Sequence, residues 1–117
     1  MANFRVSHAA QADIISILAW SNGQFGEEAR KRYEALIAAA IRDAATRTDD
    51  VGQTPRPELG EDVFSWHLSQ SRGRSPGGSV HRPRHFLICR HDGDILVIGR
   101  VLHDAMDVQR YADPQWL

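Results

Sequence analysis

The sequence predicts an α+β fold in which a two-helix antiparallel hairpin packs on one face of an antiparallel sheet. Two segments of the N-terminal half carry apolar residues at helical spacing, and three apolar stretches of strand length follow them. A short alternating stretch precedes both helices. The predicted order is therefore β-α-α-β-β-β, an N-terminal strand followed by the hairpin and a three- to four-stranded sheet.

Length and composition set broad limits. With 117 residues and 13.1 kDa, the chain suits one domain, which we expect to span residues 1–117. A net charge of -1 gives no global attraction to nucleic acid, although the charged side chains from Arg72 to Arg90 are basic. A single cysteine, Cys89, excludes an intrachain disulfide. Because no segment has signal-peptide or membrane-spanning character, we expect a cytoplasmic protein without a membrane partner.

The N-terminal half predicts a strand and two helices. Residues 4–7 alternate as a first strand, and the Ser7 hydroxyl is expected to cap the next helix. That helix is predicted over residues 8–22, with Ile15 and Trp20 widening its apolar stripe and Asn22-Gly23 ending it. The second helix is predicted over residues 26–46, and its stripe consists of Ala29, Tyr33, Leu36, Ile37, Ala40, Ile41 and Ala44.

The C-terminal half predicts strands joined by loops. Residues 48–62 are predicted as a loop and residues 63–70 as a half-buried strand, with Phe64, Trp66 and Leu68 on one side. The Gly/Ser/Arg-rich residues 71–79 predict a mobile hairpin loop, and residues 82–91 the next strand. The Asp-Gly pair within residues 91–94 predicts a tight hairpin turn.

The last predicted strand is apolar at both odd and even positions, and so on both of its faces. These positions are Ile95, Leu96, Val97, Ile98, Val101 and Leu102. Such a strand is covered on both faces, and the two helices can cover only one of them. We therefore expect the second face to need cover that the chain does not supply. After Asp104 we expect a short tail with Trp116 exposed.

The second half also contains the residue types of a ribonuclease. Candidate phosphate contacts are the four arginines Arg82, Arg84, Arg90 and Arg100, and His85 or His103 is a candidate general acid or base. By parity, Arg82, Arg84 and Arg90 are expected on one sheet face, with His85 and His91 on the other. Arginines at a solvated strand end explain the same pattern, and both interpretations stay open at this point.

Other motifs favour structural roles. His103 and Asp107 have a spacing that suits a metal pair or an acid–base pair, but we expect them to fix the strand end by hydrogen bonds. The six histidines lack zinc-site spacing, so we expect neither a metal nor a cofactor. Cys89 is expected in the core. The glycine-rich residues 73–78 lack the Lys-Ser/Thr of a phosphate-binding loop.

Two groups of residues resemble a known toxin family. The run Ser7-His8-x-Ala10-x-x-Asp13-Ile14-x-x-Ile17, then Phe25-Gly26 and Ala29-x-x-x-Tyr33-x-x-Leu36, resembles the front half of ParE-type toxins of the RelE/ParE superfamily. Arg84-His85-Phe86 and Val101-Leu102-His103-Asp104-x-Met106-Asp107 are similar to the back half, in the family order. Residues 50–80 depart from the family in length and composition.

The resemblance implies a function. ParE-type toxins belong to type II toxin–antitoxin pairs, are assigned inhibition of DNA gyrase, and are neutralised by a ParD-type antitoxin that wraps its C-terminal segment around the toxin. We therefore expect a non-enzymatic toxin that forms a hetero-oligomer with its antitoxin and does not bind DNA by itself. Contacts to antitoxin or target are expected from Arg82, Arg84, Arg90, Arg100, His103, Met106, Asp107 and Trp116. Two alternatives remain, a ribosome-dependent mRNA endonuclease of the RelE kind and a non-toxic member that only binds its partner.

Overall fold

A computed structural model of the chain describes residues 3–46, 52–74, 80, 82–106 and 110. Its elements are β1 (Asn3–Val6), α1 (His8–Phe25), α2 (Glu27–Thr46), β2 (Gln53–Pro55), β3 (Val63–His67), β4 (His85–Asp92) and β5 (Ile95–His103). Short 3-10 helices cover Pro57–Leu59 and Leu68–Arg74. The predicted α+β class and the order of its main elements are confirmed.

The strands form one five-stranded sheet in the order β1-β5-β4-β3-β2. β5 is central, paired in parallel with β1 and antiparallel with β4. The sheet has one strand more than predicted because residues 53–55, predicted as loop, pair with β3 at the edge. Proline has no amide proton for a ladder, so Pro55 is compatible with an edge position.

The two helices are joined by a single residue, Gly26. Ser7 caps α1 as predicted: its Oγ accepts from the Ala10 amide at 3.0 Å and donates to the Gly99 carbonyl of β5 at 2.7 Å. The predicted end at Asn22-Gly23 is wrong, since α1 continues to Phe25. The helix ends where Gly26 takes a φ of +90°, a conformation that favours glycine.

The main core lies between the hairpin and one face of the sheet. The predicted α2 stripe is buried from Leu36 to Ala44, and Phe64, Trp66 and Leu68 face it as predicted. β3 ends at His67, earlier than predicted, because a 3-10 helix follows it. Ser71, predicted in a mobile loop, is fully buried and accepts a hydrogen bond from Trp66 Nε1 at 3.0 Å. Cys89 is a core residue, as predicted.

The second face of the sheet is covered by the chain itself, so the expectation of missing cover is wrong. Val63, Phe86, Ile88 and Leu102 are buried there. Leu59 of a 3-10 helix and Met106, just after β5, pack against them. The apolar residues of β5 are therefore buried without a partner, apart from the half-exposed Ile95.

The turn between β4 and β5 is the tight hairpin that the sequence predicts. Asp92 pairs with Ile95, which leaves two turn residues, and the first of them, Gly93, has a φ of +61°. A positive φ at this position suits the right-handed twist of the two strands. Among the described residues, no helix is both long enough and apolar enough to cross a membrane.

Candidate functional site

A cavity of about 730 Å³ opens between the helical hairpin and the strand ends. Its walls come from the second half of α1, the first half of α2, residues 80, 82, 84 and 85, and the end of β5. The apolar wall consists of Ile17, Trp20, Phe25, Ala29 and Val80. The polar wall consists of Ser16, Ser21, Arg32, Tyr33, Arg82, Arg84, His85 and His103.

A tyrosine–histidine hydrogen bond lies in the polar wall. Tyr33 Oη is 2.6 Å from His85 Nδ1 and accepts from the Arg84 amide at 3.2 Å. Burial raises the pKa of Tyr33 to about 12, so the phenol keeps its proton. Burial, together with the neighbouring His103, lowers the pKa of His85 to about 4. Tyr33 therefore donates to a neutral imidazole, and the His85 ring proton lies on Nε2.

His103 lies opposite His85 across the β4–β5 ladder. Their ring centroids are 5.2 Å apart in an edge-to-face arrangement. The Ala105 amide donates to His103 Nδ1 at 3.0 Å, so this nitrogen is an acceptor. The ring proton of His103 then also lies on Nε2. Both histidines line the cavity, and in each of them Nε2–H is the ring donor.

Asp104 holds the ends of three strands together. Its Oδ2 accepts from His67 Nε2 at 3.1 Å and its Oδ1 from Arg84 Nε at 3.2 Å, while its amide donates to the Arg84 carbonyl at 2.8 Å. Desolvation pushes the pKa of Asp104 upward. The hydrogen bonds from His67 and Arg84, with the charge of Arg84, outweigh it and hold that pKa below its ordinary value. The ionised Asp104 side chain therefore connects the strand ends beside the cavity through hydrogen bonds.

Neutral His85 makes the stability of the fold depend on pH. Its pKa falls from 6.5 in the unfolded chain to about 4 in the fold, so between these values the unfolded chain binds more protons. The stabilisation is complete above pH 6.5 and is lost as pH falls toward 4. After allowance for partial solvent access we expect a loss of about 2 kcal/mol. Urea unfolding of the wild type and of His85→Gln at several pH values measures this loss. A free energy of unfolding that depends less on pH in the variant would support the expectation, and the same pH dependence in both proteins would contradict it.

The structure brings together only part of the predicted site. Arg82, Arg84 and His103 line the cavity together with His85. The predicted separation of Arg82 and Arg84 from His85 by strand parity is therefore wrong. β4 begins only at His85, and Arg82 lies before it with a φ of +58°. Within β4 the alternation holds, since Leu87 and Cys89 face the main core and Phe86 and Ile88 the second face.

The other predicted contacts lie elsewhere. Arg90 is paired with Val63 and Val97 within the sheet, and its buried Nε has no hydrogen-bond partner in the described part of the chain. Arg100 is bound to Asp13 of α1 through Nε at 2.7 Å and Nη2 at 2.9 Å. Met106 packs on the second face of the sheet. Asp107 and Trp116 lie outside the described residues, as does the proposed pairing of His103 with Asp107.

The most exposed large apolar side chains of the hairpin are three residues of α1. Ile15, Trp20 and Phe25 are 70%, 59% and 67% exposed, although Ile15 and Trp20 were expected to widen the buried stripe. The signal was present in the spacing: Ala10, Ile14, Ile17 and Leu18 already complete one helical face, and Ile15 and Trp20 fall beside it. Within the described residues, no group of three His, Cys, Asp or Glu side chains is placed to hold a metal ion.

Comparisons with known proteins identify a family and a similar fold. The family model of the ParE toxin of the type II toxin–antitoxin system parDE matches residues 4–108. A solved structure described as the chromosomal ParDE TA system from P. aeruginosa has a similar fold, with a TM-score of 0.62 at 16% sequence identity. The similarity covers 88% of this chain and 96% of that chain. No curated protein sequence matches significantly. Since the family model covers most of its length, the chain belongs to the ParE toxin family of type II toxin–antitoxin systems.

Proposed function

We propose that this ParE toxin inhibits DNA gyrase by binding it, without catalysis, and that a ParD-type antitoxin silences it by covering the helical hairpin. Family membership supports both partners. The similar structure from P. aeruginosa, described as a ParDE system, supports an antitoxin of the ParD type.

The observation that carries the antitoxin proposal is the exposed aromatic pair at the tip of the hairpin. Trp20 and Phe25 contact each other edge to face at 5.6 Å between ring centroids, yet both remain mostly in water. Large exposed aromatic side chains are typical of protein interfaces. An amphipathic antitoxin segment with an apolar face could bury both rings.

A RelE-like endonuclease is less well supported. It needs Arg84, Arg90, Arg100 and a histidine to act on one phosphate. Arg84 and Arg90 are six residues apart on nearly extended chain, roughly 20 Å. Arg100 is held by Asp13, and Arg84 by Asp104. In this state the three guanidinium groups do not converge.

The hairpin proposal predicts a large loss of antitoxin affinity in the double variant Trp20→Ala/Phe25→Ala. Two buried aromatic anchors of an interface together account for at least about 100-fold in affinity. Titration calorimetry with a ParD-type protein encoded beside this gene measures it. Ile95→Ala is the matched control, because Ile95 is also exposed but lies at the opposite end of β5 from the cavity. Equal losses in both variants would place the antitoxin elsewhere.

The gyrase proposal is tested separately. Purified toxin should inhibit DNA supercoiling by gyrase, and the antitoxin should relieve the inhibition. The same preparation is added to translating ribosomes, where mRNA should remain intact. Unchanged supercoiling together with cut mRNA would favour the endonuclease. Unchanged supercoiling with intact mRNA would favour a member that only binds its antitoxin.

A further inference from the structure

We propose that the cavity between the hairpin and the strand ends binds a nucleoside phosphate, with the phosphate at Arg32 and Arg82 and the base at Trp20 and Phe25. This inference goes beyond the proposed function and does not depend on gyrase or on the antitoxin. It rests on the chemistry of the side chains that line the cavity.

Apart from its hydroxyl groups, the polar wall offers donors only. Three guanidinium groups, of Arg32, Arg82 and Arg84, line the cavity, and no Asp or Glu of the described chain joins them. His85 and His103 each have Nδ1 occupied as an acceptor, which leaves Nε2–H as a donor. A phosphate group presents acceptor oxygens only and carries negative charge, so it complements a wall of this kind. A peptide backbone brings as many donors as acceptors and matches it less well.

Two of the three arginines have no carboxylate partner. Arg84 is paired with Asp104, whereas Arg32 and Arg82 form no ion pair within the described residues. By contrast, Arg30 is paired with Glu34 on the exposed side of α2, and Arg56 with Glu58. Counted over the described residues, the cavity therefore keeps about two uncompensated positive charges, which matches the charge of a phosphate monoester.

The apolar wall suits a nucleobase. Trp20 and Phe25 meet edge to face, with an interplanar angle of 79°, and both side chains are largely exposed. Stacking of a base on an aromatic side chain is favourable and tolerates any base, because every base has a π-face. A volume of about 730 Å³ lies within the range of small-molecule sites.

The test uses the full toxin without antitoxin, because Trp20 and Phe25 also belong to the surface proposed for that partner. The probes are AMP, ATP, adenosine and inorganic phosphate. Tryptophan fluorescence reports base stacking, and the ligand-dependent change should vanish in Trp20→Phe. Calorimetry measures affinity independently of Trp20. We expect AMP and ATP to bind saturably, with adenosine and inorganic phosphate each at least about tenfold weaker than AMP.

Arginine variants test whether Arg32 and Arg82 bind the phosphate group. Arg32→Ala and Arg82→Ala should each weaken AMP binding about tenfold, and the lysine variants should recover part of the loss. Arg42→Ala is the control, since Arg42 is exposed on the same helix, ten residues and roughly 15 Å beyond Arg32. Circular dichroism and thermal unfolding check that each variant is folded.

Three results would overturn the proposal. The first is the absence of saturable AMP or ATP binding. The second is binding that folded Arg32→Ala and Arg82→Ala proteins retain in full. The third is equal or tighter binding of a capped Glu-Phe dipeptide, which would show that the cavity is built for an acidic peptide. None of these results affects the gyrase or antitoxin assays, so the two proposals can fail separately.

Discussion

Replacing Trp66 with alanine should lower the free energy of unfolding by about 4 kcal/mol, the largest effect expected from a single core substitution here. The Trp66 side chain is 1% exposed and lies in the main core between β3 and α2. Its Nε1 donates to Ser71 Oγ, and an added Cβ on Gly52 would lie only 2.8 Å from its ring. The backbone therefore closes directly over the indole, and alanine would leave a cavity with little freedom to collapse.

Urea denaturation measures this effect as a shift of the midpoint at constant slope. Trp66→Phe keeps most of the apolar contact but leaves Ser71 without its donor, so we expect a loss of about 2 kcal/mol. Ser71→Ala should cost about 1 kcal/mol, because it removes the hydrogen bond and leaves Trp66 Nε1–H without its acceptor but keeps the packing of the ring. Equal midpoints for Trp66→Ala and Ser71→Ala would show that the ring contributes little packing energy.

Replacing Asp13 with alanine should cost about 3 kcal/mol. The carboxylate of Asp13 accepts from Arg100 Nε and Nη2 and, at 2.9 Å, from the Val101 amide. The two charged side chains are only 17% and 19% exposed. Alanine leaves the guanidinium poorly solvated and removes the acceptor of the amide, and an uncompensated buried charge costs more than the pair contributes.

The double variant Asp13→Leu/Arg100→Met tests whether the loss comes from the missing ion pair or from the unpaired Arg100 charge that Asp13→Ala leaves behind. It removes both charges at similar volume and should be more stable than Asp13→Ala. Glu34→Ala serves as the control, because its pair with Arg30 is exposed and should contribute no more than about 0.5 kcal/mol. Thermal unfolding of the variants gives the comparison, and a similar loss for Glu34→Ala would contradict the special role of Asp13.

The Asp13–Arg100 pair also matters for the site. It links α1 to β5, two of the elements that form the cavity walls. Asp13 belongs to the run of residues that resembles the ParE family. Its partner lies 87 residues away, so no local pattern could reveal the contact.

The sequence was sufficient for the fold because local spacing carries that information. The α2 stripe, the Ser7 cap and the Asp92-Gly93 turn are each read from neighbouring residues, and each is present. The edge strand at residues 53–55 was missed because its pairing with β3 is set by tertiary contacts in a Pro- and Gly-rich segment. Propensity describes such a segment as a loop.

The candidate site was less accessible to sequence reasoning. The sequence identifies the four arginines, but their grouping relies on strand parity, which does not apply to Arg82 and Arg84 because they precede the first residue of β4. Tyr33 was read as part of a core stripe, whereas its hydroxyl binds His85, 52 residues away. Which charged groups pair with each other depends on strand order, and strand order is not a local property.

The parallel pairing of β1 with β5 has a consequence for synthesis of the toxin. Residues 3–6 leave the ribosome long before their partners, residues 95–98, are made. Contacts between such distant segments form slowly, since loop closure must precede them. His85, His103 and the central strand also come late in the chain. The residues of the helical hairpin are therefore made long before those of the sheet and the cavity wall that it packs against.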